Sequence, residues 1–276
     1  MLVSQFTITT ERLCRVLLTC PLLGCILLHQ ALPAADLDST LPSVRSIYRN
    51  YIEANGGYLH MESLSSVAMK ASVDYCTGES IEISIYRKRP NKLRLRKHFK
   101  NYTEEVIYDG HEGWRELSSL EGYQIELKRL QSDEMARAHD MSDIEGPFFF
   151  VGRDERNISA IKMDEVEGIS SYRVEVNPQA GLPFQAIWLN AKSFEEIKVA
   201  RTSDREGRKV LEEIYFRDST SLEGHTFYRK QTVYVDGVLE STLNLRSIRI
   251  NLGVYDKFFS IDSDRSSDRL NVEVEL

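Results

Sequence analysis

Two periods of apolar recurrence divide this chain. Over residues 41–55 (LPSVRSIYRNYIEAN), Val44, Ile47, Tyr48, Tyr51 and Ile52 fall at helical spacing, and Gly56-Gly57 follows as a stop. This predicts an amphipathic helix packed on a larger layer. From Val67 the period becomes two. Val67, Met69, Ala71, Val73 and Tyr75 share one face, while Ala68, Lys70, Ser72 and Asp74 share the other. Ile81, Ile83 and Ile85 alternate with Glu82, Ser84 and Tyr86, and Leu93 and Leu95 with Arg94 and Arg96. Alternation of this kind belongs to strands with one apolar and one wet face, as in an antiparallel sheet.

The connections are short and carry turn residues: Thr77-Gly78, Pro90-Asn91 and Asp109-Gly110. A further strand precedes the Asp109-Gly110 turn. Later strands are predicted at residues 158–166, 171–177, 183–189, 195–201, 209–217, 227–235 and 241–250, each bounded by turn signals. The sum is about eleven strands in series. The expected class is mainly β (α+β), one curved antiparallel sheet with closing helices.

Residues 124–151 break the alternation. LKRLQSDEMARAHDM is rich in helix formers, and Gly146-Pro147 stops it before Phe148-Phe149-Phe150. Three adjacent phenylalanines are not expected to face water together. They read either as a core plug or as a mobile element over an apolar cavity.

Charge and targeting narrow the class. The net charge is -7, which does not suit a nucleic-acid binder. Arg12 and Arg15 precede an apolar run, residues 16–28, and a small-residue site, ALPAAD, at residues 31–36. That is the pattern of a cleaved secretory signal over residues 1–35, leaving residues 36–276 as one domain. The run is shorter than the roughly 20 residues a spanning helix needs. A rival reading takes Leu22-Leu23-Gly24-Cys25 as a lipidation site, although the apolar run continues past Cys25. Cys14, Cys20 and Cys25 all fall inside the signal, so Cys76 alone remains after cleavage and no internal disulfide can form. Export without disulfides points to a bacterial envelope protein.

Four features carry a family resemblance: the signal followed by a helix ending in Gly-Gly; the strands joined by Lys88-Arg89-Pro90-Asn91; Tyr108-Asp109-Gly110 followed by Trp114; and Gly146-Pro147-Phe148-Phe149 after the central helix. Together they resemble the outer-membrane lipoprotein carrier family, LolA-like and LolB-like proteins. The resemblance implies a half-open β-barrel whose apolar face receives acyl chains beneath closing helices. It also implies a periplasmic, non-enzymatic carrier of lipids or lipoprotein acyl chains to the outer membrane. A membrane permease complex or an outer-membrane acceptor would be its partner, the chain acting as a monomer. The alternative within the same fold is an envelope-stress sensor or protein-interaction module.

In that family the arginine of the RPN turn holds the empty cavity shut by reaching the lid helices, a role that would fall to Arg89; otherwise Arg89 is a solvated edge residue. The expected lipid-facing residues are Met69, Leu93, Leu95, Trp114, Phe148, Phe149 and Phe150. No catalytic residue, metal site or cofactor is expected. The histidines show no metalloprotease spacing, and neither a nucleophile elbow nor a phosphate loop occurs. Arg87, Lys88, Arg89, Lys92, Arg94, Arg96, Lys97 and Lys100 form the densest basic cluster; on alternating strands its outward members make a positive stripe suited to anionic headgroups or an acidic partner, or else simply a solvated sheet face.

Overall fold

The computed structural model describes residues 41–205 and 207–261. The predicted signal, Cys25 and the polar tail with its terminal VEVEL lie outside the described residues. Helix α1 (Val44–Ala54) begins where Ser43 accepts a hydrogen bond from the Ser46 N–H at 3.2 Å, a cap of the kind that contributes about 1 kcal/mol. The apolar stripe that predicted it buries Ile47 and Tyr51. Gly56 and Gly57, both at positive φ, end α1 and start a short second helix, α2 (Tyr58–Ser63), which the periodicity did not reveal.

Thirteen strands form one antiparallel sheet rather than eleven. They are β1 (Ser66–Tyr75), β2 (Ser80–Lys88), β3 (Lys92–His98), β4 (Tyr102–Tyr108), β5 (Gly113–Ser119), β6 (Gln124–Arg129), β7 (Ile158–Val166), β8 (Ile169–Val176), β9 (Phe184–Asn190), β10 (Glu196–Arg205), β11 (Arg208–Leu222), β12 (His225–Val235) and β13 (Val238–Ile250). The two unexpected strands are β5 and β6. GWRELSS has polar residues on both faces, QIELKR offers only Ile125 and Leu127 as an apolar face, and Leu127–Arg129 reads equally well as helix. Pairing of Trp114 with Arg129 across the hairpin decides for strand. The central helix is accordingly shorter than expected: α3 spans Ser132–Ser142, followed by α4 (Pro147–Val151).

Two meanders, β1–β6 and β7–β13, are fused where β1 pairs with β13. The sheet therefore has two edges, β6 and β7, and the chain crosses from one to the other through α3 and α4. That crossover must run over a face of the sheet, and α1 shares the same side. One apolar core joins α1 and α4 to β8, β9 and β10, and includes Ile47, Phe148, Val174, Ile187 and Val199. A second joins α3 to β1–β4, and includes Ile83, Ile85, Leu93, Leu95 and Ala138. Among the described residues, no helix is long and apolar enough to cross a membrane.

Candidate functional site

The end of β2 is the junction between sheet and helices. Arg89 donates from Nε to the Leu64 carbonyl at 2.7 Å and from Nη2 to the Met61 carbonyl at 3.0 Å. These belong to the C-terminal end of α2, where helix carbonyls lack intrahelical partners. The same Nη2 pairs with Glu145, in the loop between α3 and α4. The Glu145 side chain is only 6% exposed, so Arg89 is its nearby counter-charge. One side chain thus ties β2, α2 and the entrance to α4 together.

A second tie lies at α4. Glu196 Oε1 accepts from the Phe148 backbone N–H at 2.6 Å and from the Tyr51 hydroxyl at 3.3 Å. Burial pushes the Glu196 carboxyl up to about 7, against the pull of these two donors. Burial, then the neighbouring Glu196, holds the Tyr51 hydroxyl well above its usual range. A Cβ at 146 would stand 2.3 Å from Glu196 Oε2, so any larger residue there has to displace this carboxylate. Alternation along β10 hides this residue, since Glu196 should share the face of Lys198. A bulge between them pairs Glu196 with Leu189 and Lys198 with Trp188, turning Glu196 inward.

The expected lipid-facing residues separate into groups. Met69, Leu93 and Leu95 meet in the α3 core, with Leu93 fully buried. Phe148, Phe149 and Phe150 join the other core: Phe148 packs edge-on to Tyr51 at 5.2 Å, and Phe149 stacks on Tyr58 at 6.1 Å. Trp114 is not among them. It pairs with Ile107, which in turn pairs with Arg94, and so it lies on the outer face, away from Leu93 and Leu95.

Between the two cores runs an apolar strip that the sequence reading did not single out. Leu245, Ile248 and Ile250 pair with the inward residues Ala71, Met69 and Val67 of β1, yet are only half-buried. Val233 and Ile214, paired with one another on β12 and β11, continue it and are likewise half-buried. Beside it is a polar network. Glu212 accepts from Arg201 Nε at 2.8 Å, Ser203 Oγ at 2.6 Å and Arg205 Nη2 at 2.7 Å, and Arg205 also reaches Glu240. Burial would raise the Glu212 carboxyl, but Ser203 and the two arginines outweigh it and hold it down to about 2.

The outward positive stripe is not present as a free surface. Arg94 and Arg96 both pair with Glu105, Lys97 with Glu104, and Lys88 and Lys92 with Asp256. The segment after β13 folds over this face, placing the Phe258 ring 4.6 Å from the Arg94 guanidinium carbon. On the outer face of the other half, a groove of about 1530 Å³ contains Trp188, Lys198 and Tyr215. Its polar groups engage one another: Trp188 Nε1 donates to Asp164 at 2.8 Å, and Lys198 pairs with Glu213 at 2.6 Å. Among the described residues, no cluster of three or more His, Cys, Asp or Glu could hold a metal ion.

No protein-family model and no curated protein matches this sequence. Solved structures do. A DUF1329 family protein from Desulfovibrio piger superposes with a TM-score of 0.52 at 13% identity, over 80% of this chain and 98% of that one. The chain shares that protein's fold. An outer membrane lipoprotein-sorting protein domain from Vibrio parahaemolyticus matches at a TM-score of 0.45 and 12% identity, covering 78% of this chain and 94% of its own. A LolA superfamily protein from Nitrosomonas europaea matches at 0.48 and 11% identity, covering 80% and 99%.

Proposed function

We propose that this chain is an exported, periplasmic, non-enzymatic carrier that binds a lipid or lipoprotein acyl chain and delivers it to the outer membrane. The observation that carries this reading is the half-buried apolar strip on β11–β13, lying between two helix-covered cores. Burying an acyl chain gains about 0.8 kcal/mol per CH2, so a chain of about 16 carbons gains roughly 10 kcal/mol before ordering costs. Such binding needs apolar area and a way to open. Arg89, bridging α2 and Glu145, is suited to govern that opening: its contacts hold helices to the end of a strand, and a ligand entering beneath them would compete with those contacts. A membrane permease complex or an outer-membrane acceptor would then load and unload the carrier.

The test is uptake of a fluorescent fatty acid by delipidated protein. Saturable uptake is expected, competed by unlabelled palmitate and strongly reduced by Leu245→Glu on the strip. Leu211→Glu, at an exposed position on the outer face, should leave it unchanged. Absence of saturable uptake would reject the carrier reading and favour the envelope-sensor or interaction-module alternative.

A further inference from the structure

Among the described residues, Arg87 on the helix-covered face forms no ion pair. Arg87, on β2, pairs across the sheet with Val67 and Leu93, both buried, so its side chain leaves on their face. Its Nε is buried without a hydrogen-bond partner. Its neighbours differ: Lys88, Arg89, Lys92, Arg94, Arg96 and Lys97 are each paired with a carboxylate. The acidic group acting on Arg87 is Asp143, at the C-terminal end of α3, beyond ion-pair contact. Arg87 is half-buried overall, and leaving its buried Nε without an acceptor costs free energy unless something supplies one.

The surroundings define that acceptor. Arg87 stands two residues before Arg89, about 7 Å along the chain, near the end of β2. Toward β3 it meets Leu93, buried under α3; toward β1 it pairs with Val67, which pairs with Ile250 at the end of the half-buried strip. A cation at the head of an apolar track, behind a movable tie, suits an amphiphile with one negative charge. Among the described Arg and Lys residues of 87–97, Arg87 is the one without a carboxylate partner, which matches a monoanion. A guanidinium presents two parallel N–H groups, the geometry a carboxylate accepts.

We propose that Arg87 receives the head of a long-chain carboxylate whose acyl chain crosses Val67 and lies along the half-buried strip of Ile250, Ile248 and Leu245. This rests on the lipid-binding reading and adds its head-group selectivity.

The test compares palmitate with hexadecanol, equal in chain length and different in head charge, by displacement of a fluorescent acyl probe from the delipidated full chain at pH 8. Palmitate is expected to bind about tenfold more tightly than hexadecanol. Arg87→Met, which keeps length and removes charge, should bring the two within about threefold, with hexadecanol binding retained. Arg87→Lys, which keeps charge without the fork, should fall between and guards against a folding defect in the methionine variant. Equal binding of both ligands by the wild type, or a preference surviving Arg87→Met, overturns this assignment and leaves lipid binding intact. Failure of both ligands to bind overturns the two together.

Discussion

The carboxylate of Glu196 and the backbone N–H of Phe148 are joined by a 2.6 Å hydrogen bond, in a region where Glu196 is 3% exposed and Phe148 1%. The bond fixes α4, and with it the phenylalanine plug, to β10. Among the described residues no cation pairs with Glu196, and burial disfavours its charged form.

The sign of the resulting pH dependence follows from proton linkage. In the folded chain Glu196 titrates near 7, whereas an unfolded glutamate titrates near 4.5. Between those values the folded state holds more protons, so stability falls as pH rises through that window, by about 3 kcal/mol in total. Glu196→Gln keeps an acceptor for Phe148 and Tyr51 while removing the titration. Chemical denaturation at pH 5 and pH 8 should show this loss in the wild type and its absence in the variant. An unchanged slope in Glu196→Gln would exclude Glu196 as its source.

The Arg89–Glu145 pair invites a double-mutant cycle. Arg89→Leu leaves the 6% exposed Glu145 side chain without its counter-charge and the carbonyls of Met61 and Leu64 without a donor. A loss of about 2 kcal/mol is expected, below the range for fully buried pairs because Arg89 is 31% exposed. Arg89→Leu combined with Glu145→Gln should recover part of it. Release of bound acyl probe should also slow in Arg89→Leu, because apolar contacts under the helices replace a polar tie. Release at the wild-type rate would remove Arg89 from the gating role and leave it a structural one.

Glu212 has the opposite linkage. Despite burial, its carboxyl is held down to about 2 by Ser203, Arg201 and Arg205, so the ionised form belongs to the folded state. Its contribution is complete above about 4.5 and is lost as pH falls toward 2, amounting to about 3 kcal/mol. Glu212→Gln should be destabilised at pH 7 and show a flatter acid limb. A variant as stable as wild type at pH 7 would mean that the arginines find other partners at no cost.

Much of the sheet was legible because its strands contrast apolar with polar positions. Residues 67–75 and 81–85 show clean alternation, and in the sheet Met69, Ile85 and Leu95 lie side by side on one face, in keeping with it. β5 and β6 were illegible for the converse reason: an edge hairpin with Glu116, Glu126 and Lys128 has little contrast to read. Glu196 was hidden by a bulge, which reverses facing from that point and leaves no mark in residue type. Arg87 belongs to a basic cluster whose outward members the sequence does not separate from its inward ones. Its place two residues from Arg89 puts it inward, a parity visible once the Val67 pairing is known. Trp114 was grouped with the lipid-facing set by its motif, and register places it on the other face. The strip on β11–β13 comes from strands that the sequence revealed individually, but their adjacency to β1 depends on the long-range pairing of β1 with β13, which local patterns do not carry.

The most direct test of a carrier is native mass spectrometry of the processed protein purified from its own envelope without detergent. The expected spectrum contains a mass excess that dissociates on collisional activation into a species with at least one acyl chain, and that is diminished in Leu245→Glu. A spectrum holding only the apo mass, from protein that also fails to take up added palmitate, would contradict the account.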